Sequence, residues 1–348
     1  MADYTKTVKI GNIAIGGGEP VAVQSMLNVI ASNVEGNVEQ AKRLESAGCE
    51  IIRVSVPTLD DVRLISALKN AVNVPIVADI HFDYKIALEC VEAGVDKIRI
   101  NPGNIGDDSR VKAVADKCNE HNIPIRIGVN SGSLEKHILQ KYGKVCANAL
   151  VESAEYHVKL LEKFDFDNIV ISIKSSDVQM MSDAYKLAAD KFIYPLHLGV
   201  TEAGTERMGL VKSAAGIGGL LLCGIGDTIR VSLTDDPVKE VYAAKDILKA
   251  TGKRRFGVNV VSCPTCGRTK IDLVALAKRV EDALKDVDKP ITVAVMGCVV
   301  NGPGEARGAD IGVAGGDKCG MIFKKGEILR RVDEDKLFDE LMSEIDKL

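Results

Sequence analysis

Short β-branched runs recur eight times in the first 235 residues, each followed by a stretch long enough for a helix. They read VAVQSM (21–26), IIRVSV (51–56), PIVADI (75–80), KIRINP (97–102), PIRIGV (124–129), IVISIK (169–174), PLHLGV (195–200) and TIRVSL (228–233). Between them lie amphipathic segments such as NVEQAKRLESAG and YKIALECVEAGV, closed by glycine where a helix C-cap belongs. Strand alternating with helix predicts a parallel sheet with right-handed crossovers. Eight such units fit a closed (β/α)8 barrel of the TIM type. The open doubly wound sheet is the competing arrangement, weakened because no GxGxxG follows the first strand.

The strands carry polar residues at or just beyond their C-terminal halves. These are Gln24, Arg53, Asp79, His81, Arg99, Asn101, Arg126, Asn130, Lys174, His197, Glu202, Arg230 and Ser232, with Thr201 beside Glu202. Alternation, as in Arg53-Val54-Ser55, turns the polar set to one face and the β-branched set to the other. Closing a barrel brings Arg53, Arg99, Arg126, Lys174 and Arg230 around one mouth, where they repel unless an anion sits among them. Asp79 and Glu202 offset only part of that charge. Arginine forks match phosphate, so the expected ligand is a phosphate or diphosphate.

The pattern changes after residue 250, with KATGKRR (249–255) as the expected linker. The expected division is a barrel over 1–250 that binds the anion and a small α+β domain over 251–348. The second part reads as a strand, an amphipathic helix (271–287), a strand ITVAVMGCVV, a strand pair ADIGVAGG and CGMIFKKGEIL, and a terminal helix. Cys263 and Cys266 form a C-x-x-C turn, and Cys298 precedes VVNGPGEARG. No second C-x-x-C follows and no histidine occurs after residue 197, which disfavours a zinc ribbon. Three thiolates beside a glycine-rich loop suit iron–sulfur better. A fourth ligand is either Cys319, giving an all-cysteine cluster, or Glu305, a weaker carboxylate that can yield its place.

Composition narrows the partners. The net charge of −4 gives no global pull toward nucleic acid. The longest apolar run, GIGGLLLCGIG (216–226), is too short to span a bilayer, and MADYTKTVKIGN lacks a signal-peptide core, so a cytoplasmic protein is expected. Nine cysteines in that compartment read as reduced thiols. Cys49, Cys90, Cys118, Cys146 and Cys223, scattered among apolar neighbours, read as small buried hydrophobes.

CPTCGRT, MGCVVNGPGEA and ADIG resemble the cluster motifs of the 4-hydroxy-3-methylbut-2-enyl diphosphate synthase family, in its compact two-domain bacterial form. IRVSVP, ADIHFDYKIAL, DKIRINPGNIG, PIRIGVNSGSLEKHIL, VISIKSSDV, YPLHLGVTEAG and GIGDTIRVSLT resemble its barrel blocks in order, so the likeness covers nearly the whole chain. The resemblance implies reductive ring opening of 2-C-methyl-D-erythritol 2,4-cyclodiphosphate, with electrons from ferredoxin or flavodoxin passing through a [4Fe–4S] cluster. It implies Cys263, Cys266, Cys298 and Glu305 as cluster ligands, leaving Cys319 a bystander. Arg53, Arg99, Arg126, Asn130, Lys174, Arg230 and Ser232 are the implied diphosphate contacts, and Asn101 and Thr201 join them as candidates. Glu202 is the candidate proton handler, with His81 and His197 as orienting or proton-transfer candidates. A head-to-tail homodimer is implied too. QSMLNVIASN (24–33) departs from the family pattern, since Leu27, Val29 and Ala31 replace hydroxyls and Asn33 replaces an acid, so the loop's hydrogen bonding is expected to differ. Two rivals share these parts: a non-redox iron–sulfur dehydratase and a non-catalytic iron–sulfur regulator.

Overall fold

The computed structural model describes residues 5–285, 287, 289–299 and 306–348. The chain divides into two compact units, Met1–Arg254 and Arg255–Leu348.

The first unit begins with an antiparallel hairpin, β1 (Val8–Ile10) and β2 (Ile13–Ile15). Eight strands follow: β3 (Ala22–Met26), β4 (Ile51–Ser55), β5 (Ile76–Asp79), β6 (Lys97–Ile100), β7 (Ile125–Asn130), β8 (Ile169–Lys174), β9 (His197–Leu198) and β10 (Thr228–Ile229). All pair in parallel in the order β8-β7-β6-β5-β4-β3-β10-β9. A parallel bridge from Ile171 to Leu196 joins the two ends of that order, so the sheet closes as a barrel rather than opening. The helices between strands start at side-chain caps: Asp83, Asp107, Asp177 and Asp236 each accept a backbone N–H from the first turn. At the N-terminal end of the barrel, Val8, Ile10 and Ile15 of the hairpin pack with Ala22, Ile51, Val77 and Val170. That apolar layer closes the base and leaves the polar strand ends at the opposite face.

The departing loop is held by amides. Asn33 caps the helix Val34–Ser46, accepting from the Gly36 N–H at 2.9 Å. Asn28 and Gln40 exchange two hydrogen bonds, at 2.9 and 2.6 Å, and Leu27, which replaces a hydroxyl of the family pattern, is buried. Among the scattered cysteines, Cys49, Cys90 and Cys118 are buried, and burial pushes each thiol up to about 12. Cys146 is half-buried and Cys223 is exposed, so the core reading fails for those two. Cys223 is the C-cap of the helix Gly219–Leu222, which follows a π turn at Ala214–Gly218.

The second unit is a five-stranded sheet in sequence order: β11 (Asn259–Ser262), β12 (Thr292–Met296), β13 (Ile311–Gly316), β14 (Cys319–Lys324) and β15 (Glu327–Asp333). The first three strands are parallel and the last two antiparallel. Helices Leu273–Leu284 and Leu337–Asp346 bury Leu273, Val280, Leu284, Leu337, Leu341 and Ile345 against it. The single strand expected over 319–329 is two strands. Lys325 and Gly326 adopt φ of 49° and 82°, a left-handed turn that reverses the chain. Among the described residues, no helix is long and apolar enough to cross a membrane.

Candidate active site

Parallel register sets the polar layer of the barrel. Arg99 is opposite Asp79 on one side and Arg126 on the other, and Asn130 is opposite Lys174. Arg53, Arg99 and Arg126 are 5%, 4% and 0% exposed, so their charges sit inside the barrel rather than on its rim. Asp79, itself buried, holds two of them: it pairs with Arg53, and its Oδ1 accepts from Arg99 Nη1 at 3.1 Å. Burial raises the Asp79 carboxyl, but the Arg53 and Arg99 charges outweigh it and keep it below the usual carboxylate range.

Arg126 has no such anchor. Its Nε, Nη1 and Nη2 are all buried without a hydrogen-bond partner, as are Arg53 Nε and Nη1, Arg99 Nε and Arg230 Nε. Unpaired buried donors are costly, and here they gather in one place. Burial first, then the charges on Arg53 and Arg99, push Arg126 well down; burial and the arginines do the same to Lys174 at the end of β8. Arg230 lies just past β10, with its Nη2 3.4 Å from Glu240 Oε1. Six basic side chains (Arg53, Lys97, Arg99, Arg126, Lys174, Arg230) thus face two buried carboxylates, Asp79 and Glu240.

The other expected residues surround this group. Asn101 is buried and accepts the Gly103 N–H at 3.1 Å. Asn130 ends β7, and Thr201 and Ser232 lie past their strands; all three are half-buried, and the Thr201 N–H donates to the Ser175 carbonyl at 3.3 Å. Glu202 is exposed, on a left-handed backbone with φ of 51°. His81 is half-exposed, its Nε2 3.8 Å from Asp79 Oδ2. His197 is fully buried, with Nδ1 2.7 Å from Thr228 Oγ1 and Nε2 unpartnered. Burial and the cations around it push it well below the usual histidine range, so it is a neutral interior group.

Three contributors were not singled out in the sequence. Glu240 projects from the helix Pro237–Ala250 and accepts from Ser25 Oγ at 3.1 Å as well as meeting Arg230. Gly128 lies under the Arg99 guanidinium, where an added Cβ would stand 2.5 Å from Nε. Lys97 is a completely buried lysine on β6. Period-2 alternation with Arg99 was the one available signal for Lys97.

In the second unit, Cys263 follows β11 and Cys298 follows β12, so both stand at the C-terminal edge of two neighbouring parallel strands. Gly297 ties the C-x-x-C loop to that edge: its N–H donates to Cys263 Sγ at 3.2 Å and its carbonyl accepts from Lys270 N–H at 2.9 Å. Cys266 is exposed, and its thiol is pulled down by hydrogen bonds from the Arg268 backbone and side chain. A lowered thiol and a sulfur already accepting an amide N–H suit thiolate ligation of a soft metal centre. Among the described residues no three ligating side chains converge on one point. Glu305 lies outside the described residues. Cys319 Sγ accepts from Arg331 Nε at 3.0 Å and Nη2 at 2.9 Å.

The profile of the GcpE TIM-barrel domain matches residues 5–245, and that of the GcpE protein C-terminal domain matches residues 259–347. The chain belongs to the GcpE family. Two relatives in the GcpE family are named 4-hydroxy-3-methylbut-2-en-1-yl diphosphate synthase (flavodoxin). That from Caldanaerobacter subterraneus subsp. tengcongensis is 58% identical over 348 residues, covering 100% of this chain and 98% of its own. That from Clostridium acetobutylicum is 58% identical over 344 residues, covering 99% of both. Among solved structures, the Vibrio fischeri 7,8-dihydropteroate synthase superposes with a TM-score of 0.53 at 15% identity, covering 71% of this chain and 98% of that one. The Leptospira borgpetersenii N-acetylneuraminic acid synthetase gives 0.52 at 14% identity, covering 82% and 100%. At that identity the two likenesses speak for the GcpE barrel fold alone.

Proposed function

We propose that the chain catalyses reductive ring opening and dehydroxylation of 2-C-methyl-D-erythritol 2,4-cyclodiphosphate to 4-hydroxy-3-methylbut-2-enyl diphosphate. The observation that carries this reading is the unanchored, buried guanidinium of Arg126 within a cationic mouth. Identity of 58% along the whole chain to synthases of that name supports the choice of diphosphate.

Arg53, Arg99, Arg126, Lys174 and Arg230 bind the diphosphate, with Asn101, Asn130, Thr201 and Ser232 as neutral hydrogen-bonding groups around it. Asp79 aims the Arg53 and Arg99 forks, and Glu240 restrains Arg230. Glu202 handles a proton at the rim, where its exposure gives it access to solvent. His81 orients substrate beside Asp79. His197, neutral and enclosed, acts by shaping the cationic layer.

Cys263, Cys266, Cys298 and Glu305 would hold a [4Fe–4S] cluster; the engagement of Cys319 by Arg331 favours Glu305 over it as fourth ligand. When bound, the cluster would supply the two electrons that, with two protons, reductive removal of the substrate oxygen as water requires. Flavodoxin is the proposed donor, as in the relatives' names, with ferredoxin as its alternative. A head-to-tail homodimer and a cytoplasmic location complete the proposal.

Anaerobic turnover of the cyclodiphosphate by reconstituted protein, with and without a one-electron reductant, tests it. Reductant-dependent linear diphosphate is expected. Loss of water without reductant, giving a product at the substrate's own oxidation level, would replace this reading with the Lewis-acid dehydratase, and no turnover with an intact cluster would leave the regulator.

A further inference from the structure

Lys97 sits one inward step deeper than Arg99 on β6 and has no exposed surface. Its Nζ has one hydrogen bond, to Gln24 Oε1 at 3.4 Å. The buried carboxylates of this layer are committed elsewhere: Asp79 to Arg53 and Arg99, Glu240 to Arg230 and Ser25. The groups that face Lys97 are otherwise cationic or neutral. Arg53 faces it from β4, Arg126 from β7, and neutral His197 from β9; Lys174 and Arg230 close the layer above. Gln24 Nε2 and His197 Nε2 are buried there without partners.

An ammonium cannot be held in such a place without a counter-ion at tolerable cost. Arginine does not give up its proton in proteins, whereas a buried lysine does. Lys174 retains some access to water, and Lys97 has none. Burial, then the Arg126 and Arg53 charges, push Lys97 well below the usual lysine range. A diphosphate among the arginines above it reverses the local field.

We propose that Lys97 is a further substrate-positioning residue, uncharged while the mouth holds no anion, which takes up one proton when the cyclic diphosphate binds and becomes the cationic floor of the site. The step adds a solvent proton to the Nζ lone pair; no other bond changes. It rests on the diphosphate reading above. The sign follows from linkage: between the free and bound pKa of Lys97, binding consumes a proton, so affinity falls about tenfold for each unit that pH rises.

The test is calorimetric titration of the oxidised holoprotein with the cyclodiphosphate, without reductant, in buffers of different ionisation enthalpy. Wild type is expected to take up about one proton per ligand bound. K97M is expected to bind roughly tenfold more weakly and to take up none. Binding by wild type with no proton uptake overturns the Lys97 assignment while leaving the diphosphate site standing, and this arm needs no variant to fold. Undiminished uptake in K97M also overturns it, moving the proton to Lys174 or His197. Absence of binding by wild type overturns both readings together.

Discussion

Arg99 and Arg126 are direct register partners on the adjacent parallel strands β6 and β7. Their backbones are one strand spacing apart, ~4.8 Å, and both side chains are buried, yet only Arg99 reaches a carboxylate. Two like charges so placed oppose folding until an anion joins them.

Arg126→Met should therefore make the anion-free protein more stable, by about 1–3 kcal/mol, while weakening cyclodiphosphate binding at least ~100-fold. Thermal melts with and without ligand, paired with calorimetry, measure both. A variant that is less stable and still binds would refute the idea that Arg126 is kept for its ligand.

Asp79 has the opposite role. Because its carboxyl is held below the usual range, the stability it contributes is fully present above the unfolded pKa near ~4. That stability is lost as pH falls below this value toward the folded pKa. Asp79→Asn should cost about 3–5 kcal/mol at neutral pH, by leaving Arg53 and Arg99 unpaired, and should flatten the acid limb of the stability curve. Denaturant unfolding from pH 7 to 2 would show it; an unchanged acid limb would count against this assignment.

Gly128→Ala probes geometry without touching charge. The new methyl group collides with Arg99 Nε and has nowhere to go inside a closed barrel. Affinity for the cyclodiphosphate should fall roughly tenfold or more, the size of one misplaced charge-assisted contact, with iron content unchanged. Normal affinity would mean that Arg99 does not contact ligand from its present position.

Cysteine variants separate the ligand sets. Cys263→Ser should abolish the cluster, while Cys319→Ser should retain full iron content and turnover, since its sulfur is occupied by Arg331. Iron and acid-labile sulfide per chain, with the visible absorption of the cluster, decide the matter. Loss of iron in Cys319→Ser would make the all-cysteine cluster correct.

The barrel was legible because period-2 alternation survives in β4, β6 and β7: Arg53, Arg99 and Arg126 each sit between β-branched residues, and closure alone brings them together. Glu240 was not legible. On the helix Pro237–Ala250 it reads as one more solvated acid, and its burial comes from how that helix lies on β3, where it meets Ser25. Lys97 shares Arg99's face, but its depth depends on the stagger between strands, which no single strand encodes. Gly128 looks like any strand glycine until the guanidinium above it is seen. The split of β14 from β15 was hidden because Lys325 and Gly326 interrupt an otherwise continuous apolar and charged run.

The hairpin that seals the barrel base has a kinetic corollary. With the base packed by side chains, substrate and product share the one polar face, so product leaves by the side through which substrate came. The linear diphosphate should therefore inhibit in competition with the cyclic one.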